Sequence, residues 1–219
     1  MSLLTFADKM VPTLWDEHDA ILNDMDLRGS YQSKNLRTVL AALEVLGARP
    51  DRASLVRDAI VHTAARTGFR GRWEQVMNNP RVICDIGHNE HGLKYNFAQL
   101  RQMQESGEIT RLVIVYGSVA DIDVDAAVSL FPENAVYVFT KAQGKRAMPA
   151  EEVRDRYVDV CTSSGKEPAE TYCFENVSDA VEKAFVLAGG VSETMTDRPL
   201  IYIGGSTYVV SEAMAVLSE

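Results

Sequence analysis

Cysteine is scarce in this chain: Cys84, Cys161 and Cys173 are all it carries, an odd number with no CxxC spacing. That argues against a disulfide framework or a thiolate zinc site and points to a reducing cytoplasm. No apolar run approaches the roughly 18 residues that a membrane span requires. No secretory signal is visible. Positive charge is in deficit as well, with 22 Lys and Arg against 31 Asp and Glu, a formal net charge of -9. Nucleic acid is therefore not expected as a partner, because phosphate-backbone binding needs a basic face. A single nucleotide is not excluded, since one placed arginine and a few backbone amides can hold a phosphate locally.

Several motifs are missing too. There is no GxxxxGK[ST] loop, no GxGxxG behind a strand, no GxSxG elbow, and no His/Cys cluster with metal-ligand spacing. A self-sufficient P-loop ATPase is thereby excluded, and a dinucleotide-dependent dehydrogenase loses its main support. No metal ligands are assigned within the chain.

What is present is ordinary for a globular protein: 46% hydrophobic and 24% charged over 219 residues, enough for one large domain or one and a half. Met1-Ser2-Leu3 reads as a cloning remnant and Leu3-Leu4-Thr5-Phe6 as a possible strand. From Ser33 the apolar residues Leu36, Val39, Leu40, Leu43 and Leu46 recur at helical spacing, with Gly47 as the stop. A second helix is predicted from Asp51, as N-cap, to about Arg66. Residues 67–71 break the rhythm, and a domain junction is placed there, giving units 1–68 and 69–219.

Beyond it, strands are predicted at Val82–Cys84, Leu112–Tyr116, Ala135–Phe139, Tyr172–Phe174 and Leu200–Ile203. Helices are predicted near 90–106, 123–131, 149–163, 178–189 and 207–218, with Pro149 in a first turn and Ser178 as an N-cap. Strands that are continuously apolar belong in a sheet covered on both faces. The expected architecture is therefore α/β: a Rossmann-like, doubly wound, mostly parallel sheet preceded by a mainly helical segment.

Asp85-Ile86-Gly87-His88-Asn89 ends the first of those strands, where open α/β sheets bind ligands. The Asp85 carboxylate suits either two ribose hydroxyls or the N-cap of the next helix. His88 could assist near phosphate or sit as a structural turn residue, and Asn89 reads as a helix cap. Arg72, in a Gly-Arg-Trp-Glu segment, carries a guanidinium suited to phosphate. Gly204-Gly205-Ser206 could cradle an anion or form an ordinary strand-to-helix turn. Asp121-Ile122-Asp123 reads as a capping loop.

Taken in order, these pieces resemble the carboxyl-terminal part of the folylpolyglutamate synthase / dihydrofolate synthase group of the Mur ligase superfamily. The resemblance rests on Leu27-Arg28-Gly29-Ser30-Tyr31-Gln32-Ser33-Lys34-Asn35 running into Leu40–Leu46, then Gly71-Arg72-Trp73-Glu74 and Val82–Asn89. Gly117 to Asp123, Arg146-Ala147 and Gly205–Tyr208 add lesser matches.

The resemblance implies that residues 1–68 are the tail of a central ATPase domain and 69–219 the terminal domain. The phosphate loop and magnesium ligands would lie upstream, so a truncated, monomeric and inactive fragment is expected. It implies ATP and Mg2+ as cofactors, folate or dihydropteroate and L-glutamate as substrates, and amide ligation through an acyl phosphate. Asn35 would contact adenine, Arg72 the ATP phosphates and Asp85 the ribose, while His88 and Ser206 would face the catalytic cleft. The chain departs from the pattern at Ile122, where the family often has lysine. Two other readings stay open: a non-catalytic nucleotide- or partner-binding module, and a ligase of cell-wall precursors.

Overall fold

The computed structural model describes residues 14–189 and 197–218; the Leu3–Phe6 segment lies outside them. The chain divides into two compact units, 1–70 and 71–219.

The first unit is helical. Helices α1 (His18–Asp24) and α2 (Gln32–Val45) pack with α3 (Ala53–Val61) around Leu14, Ile21, Met25, Leu36, Leu40 and Val61. Helix α2 stops at Gly47, whose φ of +65° few other residues tolerate. The Gly47 N–H bonds to Glu44 O and the Ala48 N–H to Leu43 O, which satisfies carbonyls the helix end would otherwise leave open. Of the predicted apolar stripe, Leu36 and Leu40 are buried, whereas Val39 and Leu46 lie open to solvent.

The single helix predicted over 51–66 is in fact broken. A 3-10 turn, Pro50–Arg52, leads into α3, and a further short helix α4, Thr63–Thr67, follows His62. Asp51 is not the N-cap; it pairs with Arg49. The break has a physical cause in Asp26. Its N–H takes the Val61 carbonyl, and its carboxylate accepts from the Ala64 and Ala65 amides. A long-range acid thus replaces the local ladder, a contact periodicity cannot reveal.

The second unit is the predicted α/β sheet, with six strands in the order β1-β2-β6-β3-β4-β5. They are β1 (Glu74–Asn78), β2 (Arg81–Asp85), β3 (Arg111–Tyr116), β4 (Val136–Thr140), β5 (Thr171–Phe174) and β6 (Pro199–Gly204). All neighbours pair in parallel except β1, which runs antiparallel to β2 along the edge. Sequence reading missed β1 because Glu-Gln-Val-Met-Asn has no apolar run and stays only partly buried.

Helices α5 (Glu90–Glu105), α6 (Val124–Val128) and α7 (Ala150–Ser163) cover one face, with Phe97, Phe131, Tyr137 and Tyr157 in the layer between. Helices α8 (Val177–Leu187) and α9 (Thr207–Val216) cover the other, over Val113, Val138, Ile201 and Ile203. Sandwiched at the centre, β6 is buried along its whole length. Among caps, Asn89 serves α5 and Asp123 serves α6, as expected. Asn176, not Ser178, caps α8, and Pro149 stands at the cap position before Ala150. Helix α6 is also shorter than predicted.

Candidate active site

Parallel pairing sets the site in register. Asp85 lies opposite Gly204, and Gly204 opposite Tyr116, so β2, β6 and β3 end in one row. Strand β6 is inserted between β2 and β3, which follow one another in sequence, and the carboxyl edge at such a reversal is where open α/β sheets leave a crevice.

The loop ahead of β1 brings Arg72 to this edge. On one side of it, the Gly71 carbonyl accepts from Ile86 N–H at 2.8 Å. On the other, the Trp73 N–H donates to Asp85 Oδ2 at 2.8 Å. Arg72, partly buried, is therefore pinned between two residues that are each bonded to the end of β2. Gly71 has φ +74°, and a Cβ there would lie 2.7 Å from the Ile86 side chain, so any other residue would be both strained and crowded.

Asp85 is 1% exposed. Its Oδ1 accepts from Gly87 N–H and from Asn96 Nδ2, both at 2.7 Å, besides the Trp73 bond to Oδ2. It does not cap α5; that reading of the residue is corrected, because Asn89 holds the Gly92 amide instead. Three donors on a buried carboxylate give it a positioning geometry.

His88 is exposed on the next turn, with Nδ1 3.0 Å from the Ile86 carbonyl. Ser206 is buried and caps α9, its Oγ accepting from Tyr208 N–H at 3.2 Å. It also lines a cavity of about 140 Å³ with Ser118, Gln143, Lys145, Arg146 and Tyr208. The loops after β3 and β4 pair across Val119 and Ala147 to wall this cavity. Arg146 is bound by Asp121, which raises its pKa further. Asn35 belongs to the other unit, exposed on α2, where its Nδ2 donates to Gln32 Oε1 at 2.8 Å.

Sequence reading missed Asn96, Tyr202 and Lys145 as members of this edge. Asn96 alone carried a signal: a polar residue on the apolar face of α5, between Leu93, Phe97 and Leu100.

Among the described residues no group of three or more His, Cys, Asp and Glu stands together that could hold a metal ion. No described helix is long and apolar enough to cross a membrane.

Comparison with known proteins gives this geometry a lineage. The dihydrofolate synthase/folylpolyglutamate synthase of Buchnera aphidicola is 23% identical over 154 residues, covering 69% of this chain and 32% of that protein. Its namesake from Escherichia coli K12 is 32% identical over 90 residues, 41% of this chain and 19% of that protein. The chain thus spans a third or less of the length of these curated relatives. A folylpolyglutamate synthase from Mycobacterium tuberculosis, solved with ADP and AMPPCP, superposes with a TM-score of 0.63 at 24% identity. That superposition covers 89% of this chain and 42% of the other. Residues 71–192 match the Mur ligase, glutamate ligase domain. The match takes in more than half of the sequence, including the loop of Arg72, the end of β2 and the walls of the cavity beside Ser206, and by it this chain belongs to that family.

Proposed function

We propose that the chain works as part of an ATP-dependent ligase that joins L-glutamate, in amide linkage, to a carboxyl group of dihydropteroate or a folate. The observation that carries the reading is the pinning of Arg72 beside Asp85 at the carboxyl edge of the sheet. An arginine whose backbone is anchored at this edge brings to it a guanidinium that can neutralise charge on a phosphoryl group, and electrostatic stabilisation of that kind dominates phosphoryl transfer.

In this reading ATP phosphorylates the acceptor carboxylate, and the glutamate amine attacks the resulting acyl phosphate with loss of phosphate. Arg72 meets the transferring phosphoryl group. Asp85 holds the Arg72 loop and is proposed to accept from a ribose hydroxyl as well. Asn35 is proposed to contact adenine. Ser206 and the cavity it lines, with Lys145 and Arg146 at the rim, suit a carboxylate of the incoming amino acid, while exposed His88 would serve beside the reacting groups. Residues 1–68 are proposed to be the tail of the ATPase domain.

Magnesium would accompany ATP as its counter-ion. Three free cysteines suit a cytoplasmic enzyme. Because the chain has no phosphate loop of its own, by itself it is expected to fold without catalysing ligation.

The test is glutamate-dependent phosphate release by the native gene product, supplied with ATP, L-glutamate and dihydropteroate or a reduced folate. Arg72→Ala is expected to lower kcat by about 100-fold or more with the fold intact. Absence of glutamate-dependent turnover in the unaltered protein would sink the reading.

A further inference from the structure

Resting on that reading of Arg72, we propose that Asn96 is a positioning residue for the reaction, acting through Asp85 and Trp73 on the Arg72 guanidinium.

Asn96 lies on α5 and is buried, 1% exposed. Its Nδ2 donates to Asp85 Oδ1 at 2.7 Å and to the Tyr202 hydroxyl at 2.9 Å. Tyr202 is fully buried on β6, its ring against Trp73 and Phe97. One amide therefore ties a core tyrosine to the carboxylate that holds the Trp73 backbone. Gly87 leaves the space for this, since a Cβ there would lie 2.8 Å from Asp85 Oδ1 and 3.1 Å from Asn96 Nδ2.

The downstream end of the chain of contacts needs such support. Residues 71–73 belong to no helix or strand. Trp73 has φ +50°, the one non-glycine residue among those described with positive φ, and a bulky side chain in that region persists only where its surroundings hold it. The Asp85 bond is one hold, and the Gly71–Ile86 bond another. Loosening Asp85 lets Trp73 relax, and Arg72, its immediate neighbour, moves with it.

Stability alone is a poor account of Asn96. Its Oδ1 is buried with no hydrogen-bond partner among the described residues. A half-satisfied amide in an apolar layer is a costly filler, and an aliphatic side chain of similar size would serve packing as well or better. What leucine could not supply is the directed donor to Asp85.

The test is a double-mutant cycle in the native gene product: unaltered protein, Arg72→Ala, Asn96→Leu and both together. Glutamate-dependent phosphate release is read with a thermal melt of each. The single Asn96→Leu change is expected to lower kcat about tenfold and leave KM for glutamate nearly unchanged. In the Arg72→Ala background the same change is expected to cost almost nothing further, because the group it positions is gone. Equal losses in both backgrounds, or an undiminished kcat in Asn96→Leu, would overturn the positioning role. An Arg72→Ala protein with full activity would instead overturn the ligase reading beneath it. Should the leucine variant fail to fold, Asn96→Ala, which suits a helix interior, is read through the same cycle against the same outcomes.

Discussion

The Trp73 backbone N–H donates to Asp85 Oδ2 across 2.8 Å, joining the loop before the first strand to the last residue of the second. If that bond and its two companions hold the carboxyl edge together, Asp85→Ala strands three donors in a site with almost no access to water. The expected cost is about 3 kcal/mol in urea or thermal unfolding. Asp85→Asn keeps the shape but sets an NH2 against an N–H donor whichever way it turns, at about 2 kcal/mol. A loss below about 0.5 kcal/mol in both would show that solvent serves these groups.

Arg72→Lys separates charge from geometry. Lysine retains the positive charge but lacks the planar fork that meets two phosphate oxygens at once. A tenfold or greater fall in kcat is expected in steady-state assays of the native gene product, with the melting temperature unmoved. Recovery of full activity in the lysine variant would mean that only net charge matters at this position.

Two glycines of similar backbone conformation are expected to respond very differently to alanine. At Gly205, φ is +90° and a Cβ would stand 2.4 Å from the Tyr116 ring and 2.6 Å from the Gly117 carbonyl. At Gly107, φ is +71° with nothing within 4 Å. Gly107→Ala should cost only the backbone strain, about 1 kcal/mol, whereas Gly205→Ala adds a clash with strand ends and should exceed 3 kcal/mol. Equal melting temperatures for the two variants would contradict the close approach of β3 and β6.

Alkali should weaken the second unit. Burial pushes the Tyr116 phenol up to about 12, an effect the nearby Ser118 hydroxyl only partly offsets. The unfolded chain ionises near 10 while the native state keeps its proton, so the native state binds more protons and stability falls as pH rises from about 10 to about 12. The loss for this one group is roughly 2–3 kcal/mol. Tyr137, held up by burial as well, adds to the slope. Tyr116→Phe should flatten the alkaline limb of a stability-against-pH curve. It should cost little at neutral pH, because beyond the weak approach of Ser118 the Tyr116 hydroxyl makes no well-formed hydrogen bond among the described residues.

The apolar runs of β2, β3, β4 and β6 could be read directly, since a strand covered on both faces has no reason to alternate. The caps Asn89 and Asp123 were equally legible, being local in sequence. What escaped depends on distant partners. Strand β1 takes its ladder from β2 and needs no apolar run of its own; the kink at His62 is imposed by Asp26; Asn96 is polar where the helix pattern asks for carbon. Arg72 and Asp85 could be named as residues, but their link runs through the N–H of Trp73, a group every residue but proline possesses.

The reversed direction of β1 settles which pole of the sheet the chain visits on leaving residues 1–70. Running antiparallel, it begins where its neighbour finishes, so Gly71 and Arg72 arrive at the crevice rather than beneath it. A co-directional first strand of five residues would have delivered the guanidinium roughly 16 Å away, at the opposite pole.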